Sequence, residues 1–88
     1  PMDTGLLWFD NDPRRGLEEK VQRAAHHYRR KYGHRPNMCF VHASALDGQG
    51  SMDVGDVAVQ VGRAVLPHHF WIGVQEERTR PQDEEVLA

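Results

Sequence analysis

Only one stretch of this sequence, Leu17 to Tyr32, places its apolar residues at helical spacing, and that limits how much sheet the chain can cover by itself. Leu17, Val21, Ala24, Ala25, Tyr28 and Tyr32 fall on one face of an α-helix. Asp12-Pro13 reads as its start, an N-cap residue followed by a proline whose missing N–H would be unpaired there anyway. Glu18 and Glu19 near the start and Arg29, Arg30 and Lys31 near the end complement the helix dipole. Glu19 and Arg23, four apart, are placed to pair. Gly16 weakens the first turn by about 0.5–1 kcal/mol relative to alanine. Gly33 suits the residue that ends a helix, and Pro36 stops any continuation. The pattern predicts a helix over Pro13–Tyr32.

The remaining apolar residues come in short runs bounded by polar ones. Gly5–Phe9, Met38–His42, Val57–Val61 and Phe70–Val74 read as strands. Strand, helix and strand with short joins make a βαβ unit with parallel strands and a right-handed crossover. Leu46–Asp56, rich in glycine and aspartate, predicts a mobile loop. A turn near Gly62 makes the later two strands antiparallel. The fold class is α+β, a two-layer β-α-β-β-β domain with one helix packed on a small mixed sheet. It spans residues 1–75, followed by a charged, flexible tail over 76–88. The expected core is Leu6, Trp8, Leu17, Val21, Ala24, Tyr28, Phe40, Val59, Trp71 and Ile72.

Neighbouring strand residues point to opposite faces, and here both neighbours are apolar: Leu6 and Leu7, Trp8 and Phe9, Phe40 and Val41, Trp71 and Ile72. Strands of this kind belong to sheets covered on both sides. With one helix available, the second cover is expected from a second copy of the chain, or from another protein partner. The expected interface includes Leu7, Phe9 and Val41, with His68 and His69 at its rim, where imidazole titration makes association sensitive to pH. The alternative cover is the Leu46–Asp56 loop together with the tail.

At 88 residues the chain is one domain, burying about 60–65% of the surface that it exposes unfolded. Its one cysteine, Cys39, reads as a small buried hydrophobe in a reducing compartment, which points to the cytoplasm. No apolar run approaches the roughly 18 residues needed to span a membrane. The N-terminus lacks a signal-peptide pattern, and Met2, after Pro1, reads as the natural start.

Ligands of parallel βαβ units collect beyond the carboxyl ends of the strands. Asp10, Asn11 and Asp12 follow the first strand there, and His42 and Ser44 follow the second. Asp10, Asp12 and His42 are therefore the catalytic candidates, residue types suited to a divalent metal and an activated water. The same residues also suit an ordinary turn and helix start. Glycine-rich nucleotide signatures are missing, as are Cys-x-x-Cys and His-Glu-x-x-His spacings, so no cofactor or resident metal is expected. His26 and His27 project about 100° apart on a helix and cannot share a zinc ion. Ser44 has no nucleophile-elbow glycines around it and reads as a turn residue.

Arg29, Arg30, Lys31 and Arg35 gather at the helix end as a candidate phosphate-binding patch. A net charge of −2 argues against a general grip on nucleic acid. The sequence thus points first to a small non-enzymatic interaction or assembly module acting as a homodimer. A nucleic-acid-associated accessory protein using the basic patch is one alternative. A small metal-dependent hydrolase using Asp10, Asp12 and His42 is another.

Overall fold

The computed structural model describes Met2 and residues 4–76; from residue 77 onward the expected tail lies outside the described residues. The elements are β1 (Leu6–Phe9), α1 (Leu17–Tyr32), β2 (Met38–Val41), a 3₁₀ turn (Ala43–Leu46), β3 (Ser51–Val54), β4 (Val57–Val61) and β5 (His69–Gly73). One helix packs on a five-stranded mixed sheet of order β1-β5-β2-β4-β3.

The helix begins one turn later than Asp12-Pro13 suggests. Asp12 organises a separate turn, in which Arg15 N–H donates to the Asp12 carbonyl at 3.2 Å and Arg14 N–H to the Asp12 carboxylate at 2.9 Å. Gly16 is the true N-cap, extended at φ −79° and ψ 173°, and has no side chain to cap with. A glycine there costs little relative to a polar cap, so its residue type is less damaging than it would be inside the helix. The other end follows the expectation. Gly33 takes the left-handed conformation at φ 82°, and its N–H returns to the Arg29 carbonyl at 2.8 Å.

β1 and β2 run in the same direction, but β5 lies between them, antiparallel to both. The βαβ unit is therefore split by the last strand of the chain. β2 pairs in parallel with β4, so β4 and β5 run in opposite directions on either side of it. The expected loop over Leu46–Asp56 instead contributes the edge strand β3, antiparallel to β4. Its apolar residues Leu46, Met52 and Val54 join the helix-side core rather than covering the second face.

The cross-strand register separates the two faces. Leu6, Ile72, Cys39, Val59 and Met52 form one continuous row toward α1; Trp8, Phe70 and Val41 belong to the next. Val21 and Ala24 seal this face from the helix, with Tyr28 beside them. Trp8 meets the helix through His27, their ring centres 4.2 Å apart. The opposite face carries the row Leu7, Trp71, Phe40, Gln60 and Ser51. Phe40 and Trp71, expected in the core, are thus half-buried on the open side, while Cys39, Val41 and Phe70 take the central places.

Some cover for the open face comes from the connection between β4 and β5. It starts at Gly62, whose N–H donates to the Val41 carbonyl at 2.8 Å. A Cβ at Gly62 would lie 2.8 Å from both Phe40 Cβ and Val65 Cγ2, so only glycine lets the connection fold back this closely. Gly62→Ala should therefore destabilise the chain by about 1–3 kcal/mol through overpacking, measured by urea unfolding. A change within experimental error would show that the connection yields freely.

Burial also sets the chemistry of Cys39, whose thiol is pushed up to about 12. An unfolded chain ionises its thiol near 8.5. Between those values the folded chain holds the extra proton, so the cysteine's contribution to stability falls as pH rises through that window. At about pH 8, a thiol reagent should leave Cys39 unlabelled until denaturant opens the core. Labelling of the folded chain at the rate of a free peptide thiol would contradict that burial.

Candidate functional site

The insertion of β5 between β1 and β2 has a chemical result. The carboxyl ends of β1 and β2 flank the amino end of β5, so residues from three distant parts of the chain meet. Asp10, Lys20, His42, Ser44, His68 and His69 line a cleft of about 200 Å³, together with the apolar Leu17, Ala45 and Phe70. Asp10 and His42, paired in the sequence reading, do share this site. Asp12 does not line it.

The two carboxylates are already engaged. Asp10 is buried, at 7% exposure, and its Oδ1 accepts the Asp12 N–H at 3.0 Å. Arg15 Nη1 reaches Asp10 at 3.5 Å and Asp12 at 3.0 Å. Arg14 grips Asp12 with both Nε and Nη2, each at 3.1 Å. Arg15 also pairs with Glu19 at 3.5 Å, the residue that the spacing alone assigned to Arg23. The Arg14 guanidinium, hydrogen-bonded to Asp12, holds that carboxyl below the usual Asp range, and the Arg14 backbone N–H acts in the same direction. Among the described residues, no group of three or more His, Cys, Asp or Glu side chains is arranged to hold a metal ion.

The imidazoles are oriented by their own local bonds. His42 follows β2 and caps the 3₁₀ turn, its Nδ1 accepting the Ser44 N–H at 3.1 Å, with Ser44 Oγ 2.8 Å away. His69 Nδ1 lies 2.8 Å from the Pro67 carbonyl, which can only accept. His68 is left-handed at φ 66°, and its carbonyl accepts the Asp10 N–H at 3.0 Å, tying β5's entry to the end of β1. Lys20 is absent from the sequence-based candidates. Its presence here, and the meeting of His42 with His68 and His69, depend on strand order, which no local pattern reveals.

The expected interface residues divide between the faces. Leu7 and Phe9 are 61% and 53% exposed, and the Phe9 ring centre lies 5.0 Å from that of His69. Val41 is completely buried on the helix side and cannot belong to the open face; its neighbour Phe40 does. A second cavity, about 330 Å³ and mostly apolar, lies on that open side between Leu7, Trp71 and His69 and the connection residues Ala64, Val65 and Leu66.

The basic residues form a looser group. Arg29, Arg30 and Lys31 are exposed in the last turn of α1. The Lys31 ammonium sits 5.5 Å from the centre of the Tyr32 ring, and Arg35 is held by Asp56 at 2.8 Å. Part of the patch is thus committed to contacts within the chain.

No helix among the described residues is long and apolar enough to cross a membrane. Set against known protein families, curated proteins and solved structures, the chain matches none of them.

The Asp12 arrangement makes a direct prediction. Its carboxyl should titrate below the ordinary value of about 3.9, and Arg14→Ala should raise it again, read from carboxyl ¹³C shifts. With the folded value depressed, the pair's contribution to stability is present above the unfolded value and is lost as pH falls through the folded one. An unchanged titration in the variant would remove Arg14 as the cause.

Proposed function

We propose that this protein is a small non-enzymatic assembly module that works as a homodimer, built through the open sheet face and the β1 edge. The observation that carries this reading is the exposure of Leu7, Phe9 and Leu66 around the apolar cavity on that side. A rim of large apolar side chains around a concave apolar surface is the usual mark of an interaction site.

The sheet edges support a second copy as the partner. Among the described residues β1 is paired on one side only, which leaves backbone donors and acceptors along its other side. The opposite edge, β3, is guarded by Asp53, whereas β1 reads Leu-Leu-Trp-Phe with no charge or proline. An unguarded apolar edge can pair antiparallel with its own copy around a two-fold axis. Pairing centred on Trp8 places Leu7 opposite Phe9 of the second copy and joins the two open faces into one surface. Each half has its helix on the same side of the combined sheet, and on the open side Leu7 of each copy packs against Phe9 of the other. The buried lone thiol suits a reducing compartment, so we place this work in the cytoplasm.

Sedimentation velocity at micromolar concentration should show a dimer. Leu7→Asp with Phe9→Asp should shift it to monomer by more than about tenfold in dissociation constant, with the circular dichroism of the folded chain retained. A wild-type monomer at that concentration would overturn the proposal.

A further inference from the structure

The apolar cavity on the open side has a floor and a wall from different parts of the chain. The floor is the sheet face at Leu7, Trp71 and His69, and the wall is the connection at Ala64, Val65 and Leu66. Gly62 lets that wall stand close to the sheet, since a Cβ there would meet both Phe40 and Val65. Gly5 does the same for the floor. A Cβ on Gly5 would lie 3.1 Å from Trp71 Cζ2 and 2.9 Å from the Ile72 carbonyl, so the indole rests directly on bare backbone. The cavity's volume of about 330 Å³ falls in the range of small-molecule sites, roughly 300–1,000 Å³, whereas the polar cleft at about 200 Å³ falls below it.

The lining decides the chemistry of an occupant. It holds no Asp, Glu, Lys or Arg, so nothing there offsets a charged ligand's loss of water. Leu7, Val65, Leu66 and Trp71 favour an apolar body, and the indole favours a flat one. His69 supplies a polar group of fixed sense. The strand register sets its side chain on the open face, across from Phe9, and the two ring centres are 5.0 Å apart. Its Nδ1 lies 2.8 Å from the Pro67 carbonyl, which can only accept, so Nδ1 carries the proton. The neutral ring then keeps an acceptor at Nε2, directed away from Pro67.

We propose that this cavity binds a small uncharged aromatic alcohol, a phenol in chemical class. The aromatic ring lies between Trp71 and the connection, and the hydroxyl donates to His69 Nε2. This role is separate from assembly. Pairing of β1 with a second copy leaves β5, and with it Trp71 and His69, one strand away from the paired edge.

The test is titration of the wild-type chain with para-ethylphenol and with its methyl ether at about pH 8, where an ordinary imidazole is neutral. The two probes share an apolar body, and only the phenol donates a hydrogen bond. The phenol should bind with a dissociation constant of about 1 mM or tighter, shifting the Trp71 indole and His69 side-chain resonances. The ether should bind at least about fivefold more weakly, through the loss of one neutral hydrogen bond. Ala64→Leu should weaken both probes by filling the cavity. His69→Leu should keep the ether bound and remove the phenol's advantage. Arg30→Gln, in the last turn of α1, should change neither.

The unaltered protein supplies a check that needs no variant. Long-range ¹H–¹⁵N spectra should show His69 protonated on Nδ1. Equal binding of the phenol and its ether would overturn the proposal, as would no binding of the phenol at millimolar concentration or a His69 ring protonated on Nε2. Shifts confined to Lys20 and His42 would do the same, by moving the ligand to the polar cleft. Phenol binding that vanishes as rising protein concentration drives pairing would give the cavity to a second copy and overturn it equally. The titration can be read on monomer or dimer, so sedimentation of the same samples keeps its outcome apart from that of the assembly reading.

Discussion

A single helix can seal only one side of a sheet, and every other feature of this molecule adjusts to that limit. Val21 and Ala24 close over Ile72, Cys39 and Val59, which are fully buried. Burial of this kind contributes about 1.5–3 kcal/mol for each large side chain, and it fixes which face of every strand looks inward. The other face inherits what is left: Phe40 and Trp71 half covered by the β4–β5 connection, and Leu7 and Phe9 open to water. The same packing brings α1 over β5, and with it Lys20 beside the histidines that flank β5's first residues. Core, open face and polar cleft are therefore three results of one arrangement.

Much of this was legible in the residues, and the misreadings have physical causes. The helix face was plain from Leu17, Val21, Ala24 and Tyr28, and its end from Gly33. Its beginning was obscured because Asp12-Pro13 can open either a helix or a turn, and Arg14 and Arg15 tip the choice by binding the Asp12 carboxylate. Strand phase was ambiguous in β2, where Cys39, Phe40 and Val41 are all apolar and alternation carries no signal. Alternation therefore cannot tell that Phe40 faces the open side and Val41 the helix. β3 was hidden for another reason: as an edge strand it needs only Met52 and Val54 on its inner side, and the polar residues between resemble a loop.

The candidate site shows the limit of a linear reading more sharply. Asp10 and His42 could be placed together from the rule for ligands at strand ends. His68 and His69 could not, because a histidine pair before the last strand carries no information about where that strand inserts. Their contribution appears only once β5 is known to lie between β1 and β2. The hydrogen bonds that fix His42 and His69 are local, each spanning two residues, yet the place of both residues at one end of the sheet follows from its strand order.

The place of β1 also governs how the chain must come together during synthesis. Among the described residues Leu6–Phe9 pairs with β5 alone, so during synthesis this strand waits for its neighbour until nearly all the described chain has followed. β2, β3 and β4 can meet earlier, since their pairings join nearer parts of the sequence. Closure of the longest loop comes last and gives the least local return, which slows folding. During that interval Leu-Leu-Trp-Phe waits as an unpaired apolar segment, one on which a chaperone would have much to hold.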